Sequence, residues 1–139
     1  MYEENMLVDA LSLLLATLEL IPAETEMSIW VDTPNNLIVP IQTRGAFKFY
    51  RLAPGGPMTV LDSYTAAKHR EVKVQNQKLI DCLAVIKVNL SIKECRFSID
   101  SKTGWLIVAA LMRSGDNDKK SNPATVRCVK VYPVEAPRS

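Results

Sequence analysis

Apolar positions recur at three- and four-residue intervals through the first twenty residues, at Met6, Leu7, Leu11, Leu14 and Leu18. With LSLLLATLEL made almost wholly of good helix formers, that spacing predicts a helix over 5–20. The same period returns in QKLIDCLAVIKV and predicts a second helix over 77–88, although Val85, Ile86 and Val88 lower its propensity. Elsewhere the pattern changes to alternation of apolar and polar residues, the signature of a strand with one buried face. Strands are expected over 27–32, 37–42, 47–53, 71–75, 93–100, 104–111 and 125–132. The polar stretches TPNN and SKTG read as turns, and MTVLDSYTAAKHR reads as a turn or short helix over 59–69.

These elements follow one order twice. At an offset of 68 residues, Glu26 and Asp32 meet Glu94 and Asp100, and Met27, Ile29 and Val31 meet Cys95, Phe97 and Ile99. Upstream at the same offset LSLLLATLEL lies over LIDCLAVIKV. The expectation is an α+β fold built by internal duplication of a (β)αβββ unit, with two helices against antiparallel sheet and pseudo-twofold symmetry. One domain, 1–139, then comprises repeat 1 over about 5–53, a connector over 54–70, repeat 2 over about 71–132 and a flexible tail over 133–139. The APGGP stretch inside the connector lacks the Lys-Ser/Thr and helix entry of a phosphate loop.

Composition sharpens this picture in two places. The apolar first segment carries Asp9 and Glu19 and follows Glu3 and Glu4, unlike an export signal or a membrane span. A cytoplasmic protein with no membrane partner is expected, and Cys82, Cys95 and Cys128, odd in number and scattered, suit a reducing compartment. Charge is lopsided, because residues 1–43 carry −7 and the remainder +9. A dipolar chain of this kind suits head-to-tail self-association or contact with a polyanion. The first helix is also apolar around most of its circumference, so that Met6, Leu7, Leu11, Leu14 and Leu18 require either a second helix beside them or another molecule.

Catalytic signals are lacking. The single histidine, His69, lies between Lys68 and Arg70, and no carboxylate or cysteine spacing implies a metal or cofactor, so a protein that is not an enzyme is expected. The candidate contact residues for nucleic acid or an acidic protein segment are Arg44, Lys48, Arg51, Lys119, Lys120, Arg127 and Lys130. Alternation places Lys48 opposite to Arg51 and Arg127 opposite to Lys130. Phe47, Phe49, Tyr50 and Tyr132 stand close by, as core residues or as platforms for bases.

The stretch EVKVQNQKLIDCLAVIKVNLSIKECRFSIDSKTGWLIVAALM, a strand, a short helix and a meander, resembles half of one domain of the DNA sliding clamps. The resemblance implies a non-catalytic, self-associating scaffold of clamp-like architecture that presents a binding surface and associates with DNA. Two departures stand beside it. The four residues ahead of the first helix are too few for the leading strand of the first unit, and that helix is expected to expose Asn5, Asp9, Ser12 and Glu19, a stripe that would repel phosphate. Lys78 and Lys87 on the second helix are accompanied by Asp81. The alternative is a stand-alone adaptor, chaperone or inhibitor that binds a protein partner without touching nucleic acid.

Overall fold

The structure is a computed structural model and describes residues 6–65, 70–88, 92–113 and 126–134. The leucine-rich segment forms α1 over Met6–Leu18. Pro22 bars its continuation. Leu7, Leu11, Leu14 and Leu18 are at most 1% exposed, so they belong to the core of the chain itself. Met6, expected with them, is 54% exposed, because it stands at the first turn where the helix has left the core. Each fully buried leucine contributes about 1.5–3 kcal/mol.

After α1 the chain makes an antiparallel meander, β1 over Glu26–Asp32, β2 over Asn36–Thr43, β3 over Ala46–Leu52 and β4 over Met58–Leu61. β5, Glu71–Gln75, returns to pair with the free side of β1, giving the order β4-β3-β2-β1-β5. α2 follows at once over Asn76–Lys87. A second meander, β6 over Ile92–Ile99, β7 over Leu106–Arg113 and β8 over Val126–Val134, makes a separate three-stranded sheet. The protein is therefore α+β, with two helices and two antiparallel sheets among the described residues that share one core, centred on Leu14, Leu18, Leu79, Leu83, Cys95 and Phe97.

Three details differ from the expected elements. Residues 59–61, expected within a turn or short helix, belong to β4, since MTVL pairs with β3 from Leu52↔Met58 to Phe49↔Leu61. The strands divide between two sheets, because β5 extends the first sheet at β1. The exposed side of α1 also differs, with Leu13 and Ala16 outward beside Asp9, and Ser12 half-buried and donating to the Val8 carbonyl.

Side chains and loops lock these pieces together. Asn76, fully buried at the start of α2, donates through Nδ2 to the Leu18 carbonyl at 2.9 Å and the Ile21 carbonyl at 3.1 Å. The Leu18 carbonyl also accepts the Ile21 amide at 3.0 Å, so Asn76 ties the start of α2 to the turn that ends α1 and sets the two helices antiparallel. Asn35, at φ +68° in the β1–β2 turn, accepts from the Phe97 amide and donates through Nδ2 to the Phe97 carbonyl. Asparagine suits that left-handed position. The Pro54 carbonyl accepts the Cys95 amide at 2.7 Å. Gly56 is needed in that loop, as its φ is +75° and a Cβ would lie 3.0 Å from the Met6 backbone.

Candidate functional site

Alternation along the five-stranded sheet separates an inner face from an outer one. Met27, Ile29, Val31, Leu37, Val39, Ile41 and Leu52 point inward to the core. The intervening positions of β1, β2 and β3 place Trp30, Asp32, Ile38, Pro40, Phe47, Phe49 and Arg51 outside. The register sets Trp30 and Arg51 on either side of Ile38, and Phe49 beside Pro40. Ile38 is fully buried although it faces away from the main core, so its neighbours form a second, smaller apolar cluster.

Aromatic rings dominate that cluster. Trp30, Phe49 and Tyr64 form a triangle with ring centroids 5.9 to 6.1 Å apart, all tilted. Phe47 meets Phe49 edge-on at 5.2 Å and is itself 52% exposed. Tyr64 reaches the face from the segment that follows β4. Burial holds its phenol above its ordinary value, Asp32 reinforces that shift, and Arg51 and Arg70 oppose it. Arg51 donates to Asp32 at 3.1 Å, and its Nε is buried without a hydrogen-bond partner. The face thus combines half-exposed aromatic area with an ion pair at its edge.

The expected basic residues are not brought together. Lys48 lies on the opposite side of β3 from Arg51, where its Nζ donates to Asp62 and holds that carboxyl below its ordinary range. Arg44 is exposed in the two-residue turn between β2 and β3. Arg127 and Lys130 belong to β8 in the other sheet, and Lys130 stands at the register position of Ala110. Lys119, Lys120 and His69 lie outside the described residues. Of the nearby aromatics, Tyr50 packs against the core, and Tyr132 stands opposite Val108.

Among the described residues, no group of three or more His, Cys, Asp or Glu could hold a metal ion, and no helix is long and apolar enough to cross a membrane. Burial pushes the Cys82 and Cys95 thiols up to about 12, which removes them as nucleophiles near neutral pH. Sequence reasoning missed Trp30 and Tyr64 as site residues. Trp30 was accessible to it, since it alternates with the inward Ile29 and Val31. Tyr64 was not, because only the return of the chain along β4 brings it over the sheet. No family model, curated protein or solved structure matches this chain.

Proposed function

We propose that this chain is a non-catalytic protein-binding module whose recognition surface is the outer face of the five-stranded sheet. The observation that carries the reading is the Trp30, Phe49 and Tyr64 triangle with Phe47 exposed at its rim. Aromatic side chains supply large contact area with few rotatable bonds, and they dominate the energetic centres of protein interfaces.

Charge favours a protein segment over a polyanion. By alternation the strands β1, β3 and β5 place Glu26, Asp32 and Glu71 on this face with Arg51 and Lys73, and Arg51 is already paired with Asp32. A surface for phosphates would need a net excess of unpaired cations. The recurrence of a helix followed by an antiparallel meander in both halves supports a duplicated origin, with the outer face of the first half adapted to binding.

Selection of peptides from a random library against the intact protein tests this reading. Replacing Trp105 with Phe leaves Trp30 as the only tryptophan. A selected peptide is expected to shift Trp30 emission with a dissociation constant in the micromolar range, roughly −8 kcal/mol, and Phe47→Ser is expected to weaken it at least about tenfold. Emission that stays fixed with every selected peptide sinks the proposal. A shift produced by single-stranded oligonucleotide alone, declining steeply with salt, replaces it with a nucleic-acid platform.

A further inference from the structure

Four strands stand at the ends of the two sheets, β4 and β5 in the first, β6 and β8 in the second. In an antiparallel pair, residues alternate between exchanging hydrogen bonds with the partner strand and turning both backbone groups away from it. One bond at a strand end therefore sets the phase of a whole edge. The Asn76 amide donates to the Thr25 carbonyl, in register with β5 and β1, so Val74 and Val72 bond to β1 while Glu71, Lys73 and Gln75 turn outward. In the second sheet the Asp100 amide donates to the Trp105 carbonyl, and that phase turns Cys95 and Phe97 of β6 outward. Their amides are the ones that the Pro54 and Asn35 carbonyls take up. Carried across β7, the same phase turns Pro133 of β8 outward.

Three of these edges are blunted. β5 carries charges at Glu71 and Lys73, β6 is closed by loop carbonyls, and β8 presents Pro133, which has no N–H to offer. β4 has none of these devices. The Ala53 amide donates to the Pro57 carbonyl at 3.3 Å, in register with the β3–β4 pairs, so Thr59 and Leu61 bond to β3. Met58 and Val60 turn their N–H and C=O groups to the side on which the described residues place no strand. Val60 is 50% exposed there, and Met6, whose backbone lies against Gly56 just ahead of β4, is 54% exposed. Past Leu61 the chain leaves this edge and carries Tyr64 over to Trp30 and Phe49. β4 therefore stops short of Phe47, which is left exposed.

We propose that the protein segment bound by this chain is extended and adds to the five-stranded sheet as a sixth strand along β4. Main-chain hydrogen bonds to Met58 and Val60 hold it, and its side chains divide alternately between the two faces. Residues opposite Met58 and Val60 point to the inner side, as those two do, and take apolar side chains against Val60 and Met6. The residue between them points to the outer face beside Thr59 and Leu61, and those that follow past the end of β4 reach Phe47. Strand addition rests on the outer face being a binding surface for a protein segment, because the backbone groups of two strand residues alone hold a peptide weakly. It specifies that segment further, as a strand that is apolar at every second residue and has no proline where its amides face β4.

Amide hydrogen exchange of the full chain, followed by nuclear magnetic resonance with the tightest library-selected peptide as probe, tests this. Saturating peptide should slow exchange at Met58 and Val60 at least about tenfold, and slow Thr59 and Leu61, already bonded to β3, far less. Methylating every second amide of the peptide should weaken binding roughly tenfold in one phase and little in the other. Val60→Pro removes only an outward N–H and should weaken the peptide about tenfold, whereas Val60→Thr, which keeps that N–H, should stay within about threefold. A peptide that shifts Trp30 emission yet leaves the Val60 amide exchanging freely overturns strand addition and leaves the outer-face surface standing. Binding that is indifferent to the phase of methylation, or that a folded Val60→Pro variant retains, overturns it in the same way. Trp30 emission that stays fixed with every selected peptide overturns both.

Discussion

β1 and β6 each follow a helix and each begin a meander, yet their far edges are closed by different means. β1 gains a strand, β5, paired with it from Glu26↔Gln75 to Trp30↔Glu71. β6 gains two loop contacts, the Pro54 carbonyl on the Cys95 amide and Asn35 on both backbone groups of Phe97. Their outer faces diverge as well. The first sheet carries rings around Ile38, whereas β6 shows solvent Lys93, Arg96 and Ser98. Similar local patterns thus carry two different outer faces, and the difference is made by partners distant in sequence. A strand partner widens the first sheet, while a loop closure keeps the second sheet narrow.

The largest effect that sharpens this contrast comes from its two aromatic centres. Phe97 is fully buried between the halves, and Phe97→Ala should cost about 3–5 kcal/mol in urea unfolding. Trp30→Ala, on a half-exposed face, should cost about half of that or less. Equal losses would make the outer face a core and remove its role as a platform.

A smaller effect tests the loop closure of β6. Asn35→Ala removes the hydrogen bond to the Phe97 carbonyl and puts at φ +68° a residue that tolerates it less well than asparagine, at a cost of about 1–2 kcal/mol. Asn35→Gly loses the same bond but accepts the backbone conformation, so its loss of stability should be the smaller of the two. If both variants match the parent in thermal unfolding, β6 is held by its pairing with β7 alone.

The smallest effect is a pH dependence in the β6–β7 turn. Asp100 accepts from the Thr103 hydroxyl at 2.7 Å and from the Lys102 amide, which together hold its carboxyl below the ordinary 3.8. A folded-state value below the unfolded one means that the stabilisation is present above pH 3.8 and disappears as pH falls through the lowered value. The stability difference between the parent and Asp100→Asn should accordingly be constant near neutrality and shrink as the solution is acidified below that point. A difference that grows on acidification would reverse the sign of this linkage.

Much of the fold could be read from local pattern, and the failures have physical causes. The helix expected over 5–20 spans Met6–Leu18, and TPNN holds the β1–β2 turn, with Asn35 in the conformation that its side chain tolerates. β4 escaped because four residues, MTVL, are too few to show a period. The split into two sheets escaped because alternation identifies a strand's buried face and is silent about which strand lies beside it. The basic residues illustrate the same limit. Alternation correctly set Lys48 opposite to Arg51, but the Asp62 and Asp32 partners that occupy them came from β3–β4 proximity and from the strand neighbouring β2.

The pairing of β1 with β5 also orders events during synthesis. Glu26 meets Gln75, so the loop that closes the sheet contains β2, β3 and β4 entire. A nascent chain that has emerged only through β4 holds a meander whose β1 edge has hydrogen-bonding groups facing water, and Asn76 has not yet arrived to tie off α1. Such long-range closure slows folding, because chain entropy is lost before the new contacts compensate it. The emergence of residues 71–76 therefore completes two things at once, the β1 edge of the first sheet and the anchor of the first helix. The interval before it is when the nascent protein is most exposed to unwanted strand pairing.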